Sequence, residues 1–276
     1  MAPRGWPAAD LHLNPYLFAV GPVAVRWYGF FMALSMAVGI RFLVLHARAR
    51  GVDEEDVYNF ALVAIVAGAV GARLVYVVTN WSAFGQDPGA ILRVYQGGLS
   101  IHGAMVGALA FGLWYAARRR LPFWVLADGM VPGACVGIFL VRIGNIFNGE
   151  ILGRHAAILG GARHPAQAYE MAFALILWVL YWRQIARGVP DGVAFWNFLL
   201  GYGILRFVSE AFRDNPLYLI HYVNPELGIG LTTLTQLFTP LILGVAWAGR
   251  RWRYRVGIRH PVAAVRAPAP EGGVGP

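Results

Sequence analysis

The chain has 276 residues, of which 58% are hydrophobic and 13% charged. A soluble domain usually carries about a quarter charged residues, so this composition excludes an ordinary soluble protein and points to the bilayer. The net charge of +9 does not make it a nucleic-acid binder, because most basic residues flank apolar runs and interleave no soluble nucleic-acid module.

Met1 to Pro15 is polar and Pro-rich and lacks the short apolar region of a cleavable signal. Seven apolar spans follow: Phe18 to Leu45, Val57 to Thr79, Gly98 to Ala117, Phe123 to Ile143, Gln167 to Ile185, Val193 to Phe212 and Leu231 to Ala248. Each is close to the about 20 residues that cross the hydrocarbon. Arginines cluster after the first, third, fifth and seventh: Arg48 and Arg50, Arg118 to Arg120, Arg183 and Arg187, then Arg250 to Arg259. The positive-inside rule places those ends in the cytoplasm. The expected fold is an all-α membrane protein of seven transmembrane helices, amino terminus outward and carboxy terminus cytoplasmic. Residues 1–260 form a single polytopic domain, and 261–276, rich in Pro, Ala and Gly, a disordered cytoplasmic tail. Ten Trp and twelve Tyr suit interfacial belts. The single cysteine, Cys135, lies in an apolar run and reads as an inert core residue.

The stretch Leu140 to Arg154 ends the fourth span with an arginine, two asparagines and a glutamate. Polar groups at membrane depth are costly and usually mark a site. Arg142 and Asn145 are three apart and share a helix face, and Asn148-Gly149 signals the helix end. On the sixth span Tyr202, Arg206, Ser209 or Glu210, and Arg213 form one polar stripe, with Glu210 placed to neutralise Arg206 or Arg213. Glu150 and Arg154, four apart, are a further possible pair. Asp128 suits a cap or ion pair at the cytoplasmic end of the fourth span. Other outer groups are Tyr28 after Arg26-Trp27, Arg73 with Tyr76, and Gly97-Gly-Leu-Ser-Ile-His-Gly103.

An outward cavity with several arginines suits an anionic headgroup, because the guanidinium fork matches phosphate. Gly98, Gly103 and Gly153 allow close approach. His102, opening the third span beside glycines, is either a proton acceptor or a structural histidine. His12, His46, His155, His221 and His260 read as loop or interface residues, and His164 shapes the entry to the fifth span. The chain has no HExxH motif, Walker loop or Gly-x-Ser-x-Gly elbow. No metal site and no cofactor is expected.

Arg142-Ile-Gly-Asn-Ile-Phe-Asn-Gly-Glu-Ile-Leu-Gly-Arg154 resembles the signature of bacterial prolipoprotein diacylglyceryl transferases. So do Trp27-Tyr-Gly29, Gly97 to Gly103, Arg163-His-Pro-Ala-Gln-Ala-Tyr-Glu170 and Gly201-Tyr-Gly-Ile-Leu-Arg206, in the family's order across residues 15 to 245. The resemblance implies an enzyme of the bacterial inner membrane. It would transfer the diacylglyceryl group of phosphatidylglycerol to the lipobox cysteine thiol behind a prolipoprotein signal peptide, releasing glycerol phosphate. It implicates Tyr28, His102, Arg142, Asn145, Asn148, Glu150, Gly153, Tyr202 and Arg206, with Arg142 and Arg206 as the two essential arginines. The proton acceptor is His102 or Tyr28. Departures from the family are Leu152 where a tryptophan is usual, a short segment between Arg154 and His164, Ala104 after Gly103, and Thr232-Thr-Leu-Thr-Gln236 opening the last span. The alternatives are a divergent lipid headgroup transferase and an anion or lipid transporter.

Overall fold

The structure is a computed structural model and describes residues 13–20, 23–85, 87–93, 97–214 and 218–261. His12 and the tail beyond Pro261 lie outside the described residues. Helices dominate the architecture: α1 Trp27–Arg48, α2 Glu54–Thr79, α3 Ile101–Arg118, α4 Phe123–Asn148, α5 Ala166–Arg187, α6 Val193–Phe212 and α7 Leu234–Val256. Each overlaps one of the apolar spans of the sequence. Of these, α1, α2 and α4 are long and apolar enough to cross a membrane.

Two short antiparallel hairpins correct the all-α expectation. Strand β1, Tyr16–Val20, pairs with β2, Val23–Arg26, and β3, Tyr218–Asn224, pairs with β4, Ile229–Thr233. The first span was expected to begin at Phe18 and the last at Leu231, but both residues are in strands. Val20 faces Val23, so the pairing brackets Gly21-Pro22, a turn signal that continuous apolar character hid in the sequence. The second hairpin closes on Asn224, whose side-chain oxygen accepts the amides of Glu226 and Leu227 at 3.0 and 3.1 Å.

Helix starts follow capping chemistry. Asp53 caps α2, Ser100 caps α3, and Thr233 with Gln236 forms a capping box on α7. Asp128 accepts the amides of Gly192 and Phe195 at 2.7 and 2.8 Å, so it caps α6, the capping role expected of it.

The described residues form two compact units. One holds the chain up to Leu43 together with Ala127–His260, the other Val44–Leu126. In the first, Val131, Cys135, Leu177, Tyr181 and Ala194 make a buried apolar cluster, which bears out the core placement of Cys135. In the second, α2 and α3 pack backbone to backbone: Gly71, Gly103 and Gly107 leave no room for side chains at the crossing. Beside this crossing α2 presents Leu62, Val66, Val70, Leu74 and Val78, each more than half exposed and four residues apart. Water does not tolerate such a stripe on a soluble monomer, whereas lipid does. Gly71→Ala places a methyl against the Gly103 carbonyl and 3.1 Å from Gly107 Cα. The variant should lose about 1–3 kcal/mol of stability, read as a lower melting temperature in detergent.

Candidate active site

The polar end of α4 closes on itself. The helix runs through Asn148, so Arg142 and Asn145 do share a face. Arg142 Nη1 donates to Asn145 Oδ1 at 2.6 Å, and Asn145 Nδ2 donates to Glu150 Oε2 at 2.9 Å. Asn148 Nδ2 reaches Glu150 Oε1 at 3.3 Å, and Gln167 donates to the Glu150 carbonyl at 2.9 Å. Glu150 therefore spends its carboxylate on the asparagines, while Arg154, its expected partner, aims Nε at the Ala211 carbonyl.

Two further helices complete the network. Helix α5 contributes Glu170, which is 1% exposed, and α6 contributes Arg206 and Glu210, the latter fully buried. Arg142 Nε and Nη2 both meet Glu170 Oε2 at 2.6 Å. Arg206 Nη1 stands 3.7 Å from Glu170 Oε1, and its Nη2 donates to Glu210 Oε2 at 2.8 Å. Arg213, just past α6, lies 3.5 Å from the same Glu210 oxygen, so Glu210 neutralises both arginines the sequence offered it. Three guanidiniums thus share two buried carboxylates directly, with Glu150 reached through Asn145. Glu170 Oε1 accepts no hydrogen bond among the described residues, and the Arg142 and Arg206 side chains keep 15% and 20% exposure. Such a site can exchange part of its carboxylate contacts for an incoming anion of matching fork geometry.

The loop after α4 is stitched to the end of α6. Arg154 N–H donates to Phe212 at 2.8 Å, Asp214 N–H to Leu152 at 2.9 Å, and His164 N–H to Arg154 at 2.9 Å. Gly153 sits between these segments, where a Cβ would run into the His164 carbonyl. Arg163 fastens both sides, donating to the Gly153 carbonyl at 2.9 Å and to Asp214 at 3.1 Å. His164 does shape the entry to α5: its Nε2 meets the Leu227 carbonyl at 2.8 Å, and its Nδ1 meets Tyr169 Oη at 3.2 Å. Burial first, and then the neighbouring Arg206 charge, hold the Arg213 pKa below that of a free guanidinium. Burial also lowers Arg154, against the opposing pull of Asp214 and Glu210.

Tyr28 opens α1 with its Cα against Gly144, where an added Cβ would lie 2.9 Å away, and Trp27 stacks on Phe147 at 5.0 Å. This seats Tyr28 beside the Arg142–Asn145 turn. Tyr202 stacks on Phe198 at 5.9 Å and packs against the apolar cluster. His102, Gly98 and Gly103 belong to the other compact unit. There His102 is exposed in the first turn of α3, while Gly98 and Gly103 accommodate Arg73 with Tyr76, and Gly71, respectively.

Sequence reasoning assigned no role to Glu170, Gln167, Arg163 or Asp214. Glu170 had a signal, a lone carboxylate in the apolar start of the fifth span, but its partners are 28 and 36 residues away in sequence.

A helical protein with lipid-suited faces and an arginine-rich polar cluster at its helix ends is a membrane protein. Residues 15–248 match the prolipoprotein diacylglyceryl transferase family, to which the chain belongs. It is 43% identical over 242 residues to the phosphatidylglycerol–prolipoprotein diacylglyceryl transferase of Thermoanaerobacter sp. (strain X514), covering 87% of this chain and 94% of that one. The protein of the same name from Thermus thermophilus is 36% identical over 81% of this chain and 93% of its own. That of Deinococcus radiodurans is 32% identical over 96% and 93%.

Removing the shared carboxylate takes from Arg142 its one direct carboxylate partner among the described residues and leaves Arg206 with Glu210. Glu170→Gln should destabilise the fold by about 3 kcal/mol, checked by denaturant or thermal unfolding in detergent.

Proposed function

We propose that this chain transfers the diacylglyceryl group of phosphatidylglycerol to the cysteine thiol of a prolipoprotein lipobox. The observation that carries this reading is the convergence of Arg142 and Arg206 on the single buried carboxylate of Glu170. Two forked cations held that close suit a phosphodiester, which offers paired oxygens in place of a carboxylate.

In the reaction the thiol loses its proton, because the thiolate is the nucleophile. Sulfur attacks the glycerol carbon esterified to phosphate. A C–S bond forms, the C–O bond to phosphate breaks, and glycerol phosphate leaves with the bonding electrons. Arg142 and Arg206 hold the phosphate and stabilise the charge it gains. Asn145, held between Arg142 and Glu150, Asn148 on Glu150, and Tyr202 orient the headgroup. Gly153 keeps the loop after α4 tight against His164. His102 takes the thiol proton, with Tyr28 as the other acceptor within the same reading. All seven helices cross the bacterial inner membrane, with the amino terminus outward, so that the site meets lipoproteins that have been translocated. Residues 1–260 act as one polytopic domain, followed by a cytoplasmic tail.

The test is direct. Purified chain in phosphatidylglycerol vesicles should add a thioether-linked diacylglyceryl mass to a lipobox peptide. Arg142→Lys and Arg206→Lys should each cut this rate by about 10²-fold while the protein still inserts, since an ammonium lacks the fork. Near-wild-type turnover in either variant would remove the clamp from the mechanism.

The orientation has its own test. A reporter fused after His260 should be active in the cytoplasm; activity confined to the outer side would reverse the topology.

A further inference from the structure

Arg73 lies late in α2 and is 9% exposed. Its guanidinium donates to main-chain carbonyls: Nε to Ile91 at 2.8 Å, Nη2 to Ala90 at 2.6 Å, and Nη1 to Gly97 and Gly98 at 2.8 and 2.9 Å. It also stands over the rings of Phe84 and Tyr76, at 5.2 and 5.9 Å. Among the described residues its hydrogen-bond partners are these four carbonyls. A buried cation dressed by peptide dipoles has its donors committed to backbone, so it holds a chain segment and leaves little for a ligand.

The segment held is the entry to α3. Gly97 and Gly98 have φ of +89° and +79°, a region that favours glycine. At Gly98 a Cβ would lie 2.8 Å from Arg73 Nη1 and 2.9 Å from Tyr76 Cδ1, so the turn is shaped to this guanidinium. Ser100 N–H then donates to the Ala72 carbonyl, next to Arg73, at 3.0 Å, and its hydroxyl caps α3 through Gly103 N–H at 3.4 Å. His102 is the second residue of that helix. An α-helix turns about 100° per residue, so a one-residue slip at this entry would swing the imidazole by about that angle.

We propose that Arg73 is a positioning residue for the transfer reaction: by anchoring Gly97 and Gly98 it fixes the first turn of α3 and, through it, the direction of His102. This rests on the reading of His102 as the proton acceptor. Arg73 acts through the backbone and touches neither substrate nor leaving group.

The experiment uses the full chain in phosphatidylglycerol vesicles with a lipobox peptide, comparing wild type, Arg73→Gln, Arg73→Lys, His102→Asn and the Arg73→Gln/His102→Asn double variant. Arg73→Gln should lower kcat by about 10²-fold, the scale of a small misplacement of a reacting group, with KM for phosphatidylglycerol unchanged. Raising the pH should recover part of the loss in Arg73→Gln and in His102→Asn alike, because more thiol ionises unaided. Arg73→Lys, with three donors instead of five, should fall between wild type and Arg73→Gln. The double variant should be no slower than the slower single variant, since residues acting as a unit are not additive.

Multiplied losses in the double variant, a raised KM with kcat kept, wild-type kcat in Arg73→Gln, or wild-type rates in His102→Asn would each overturn the inference. So would loss of a cooperative melt in both Arg73 variants, which would make the residue structural alone. A wild-type chain that transfers nothing would instead sink the proposed reaction, and this inference with it.

Discussion

Glu170 carries one negative charge into a site where Arg142 and Arg206 both need it. An unneutralised guanidinium buried in a low-dielectric interior costs several kcal/mol, so the two helices bearing these arginines, α4 and α6, are tied to α5 by charge as well as by packing. Arg213 draws on Glu210, which Arg206 also uses, so a shift of any one side chain is felt by the others. Arg142, Arg206 and Arg213 meet the two buried carboxylates directly, and a third carboxylate, Glu150, reaches Arg142 through Asn145. The proposed hold on a phosphodiester draws on donors already oriented by these contacts, the preorganised electrostatics that favours charge developing on a leaving group.

Support for that geometry comes from backbone. The loop after α4 crosses between the end of α6 and the entry to α5, bound at Phe212, Leu152 and His164. Arg163 bridges its carbonyl side to Asp214. These contacts hold Gly153 where even a methyl group has no space. The same economy appears in the second unit, where one buried arginine gathers carbonyls from two stretches of the link between α2 and α3. In both places a positive side chain organises peptide dipoles that a bilayer environment could not solvate.

Much of the helical layout was readable because lipid enforces it. Backbone polar groups in hydrocarbon must bond within their own segment, so long apolar runs become helices wherever they occur. The end of α4 was readable from the turn signal Asn148-Gly149, and Asp128 from its capping role. The hairpins were not readable. Phe18 and Leu231 are as apolar as the helices they precede, and apolar character without a period does not distinguish strand from helix.

By itself the sequence determined which residues are too polar for their apolar surroundings, among them Arg142, Asn145, Arg206 and Glu210. Their spacing also set the local pairs, since three and four residues apart on one helix are neighbours whatever the fold. Only the tertiary structure decided that Glu170 is the counter-ion Arg142 and Arg206 share, and that Arg73 serves the turn before His102. These partners sit on different segments, 17 to 36 residues apart in the chain, and helix periodicity carries no information across a loop. What joins them is the cost of burying charge, which is settled once the helices have packed and every guanidinium must find an acceptor.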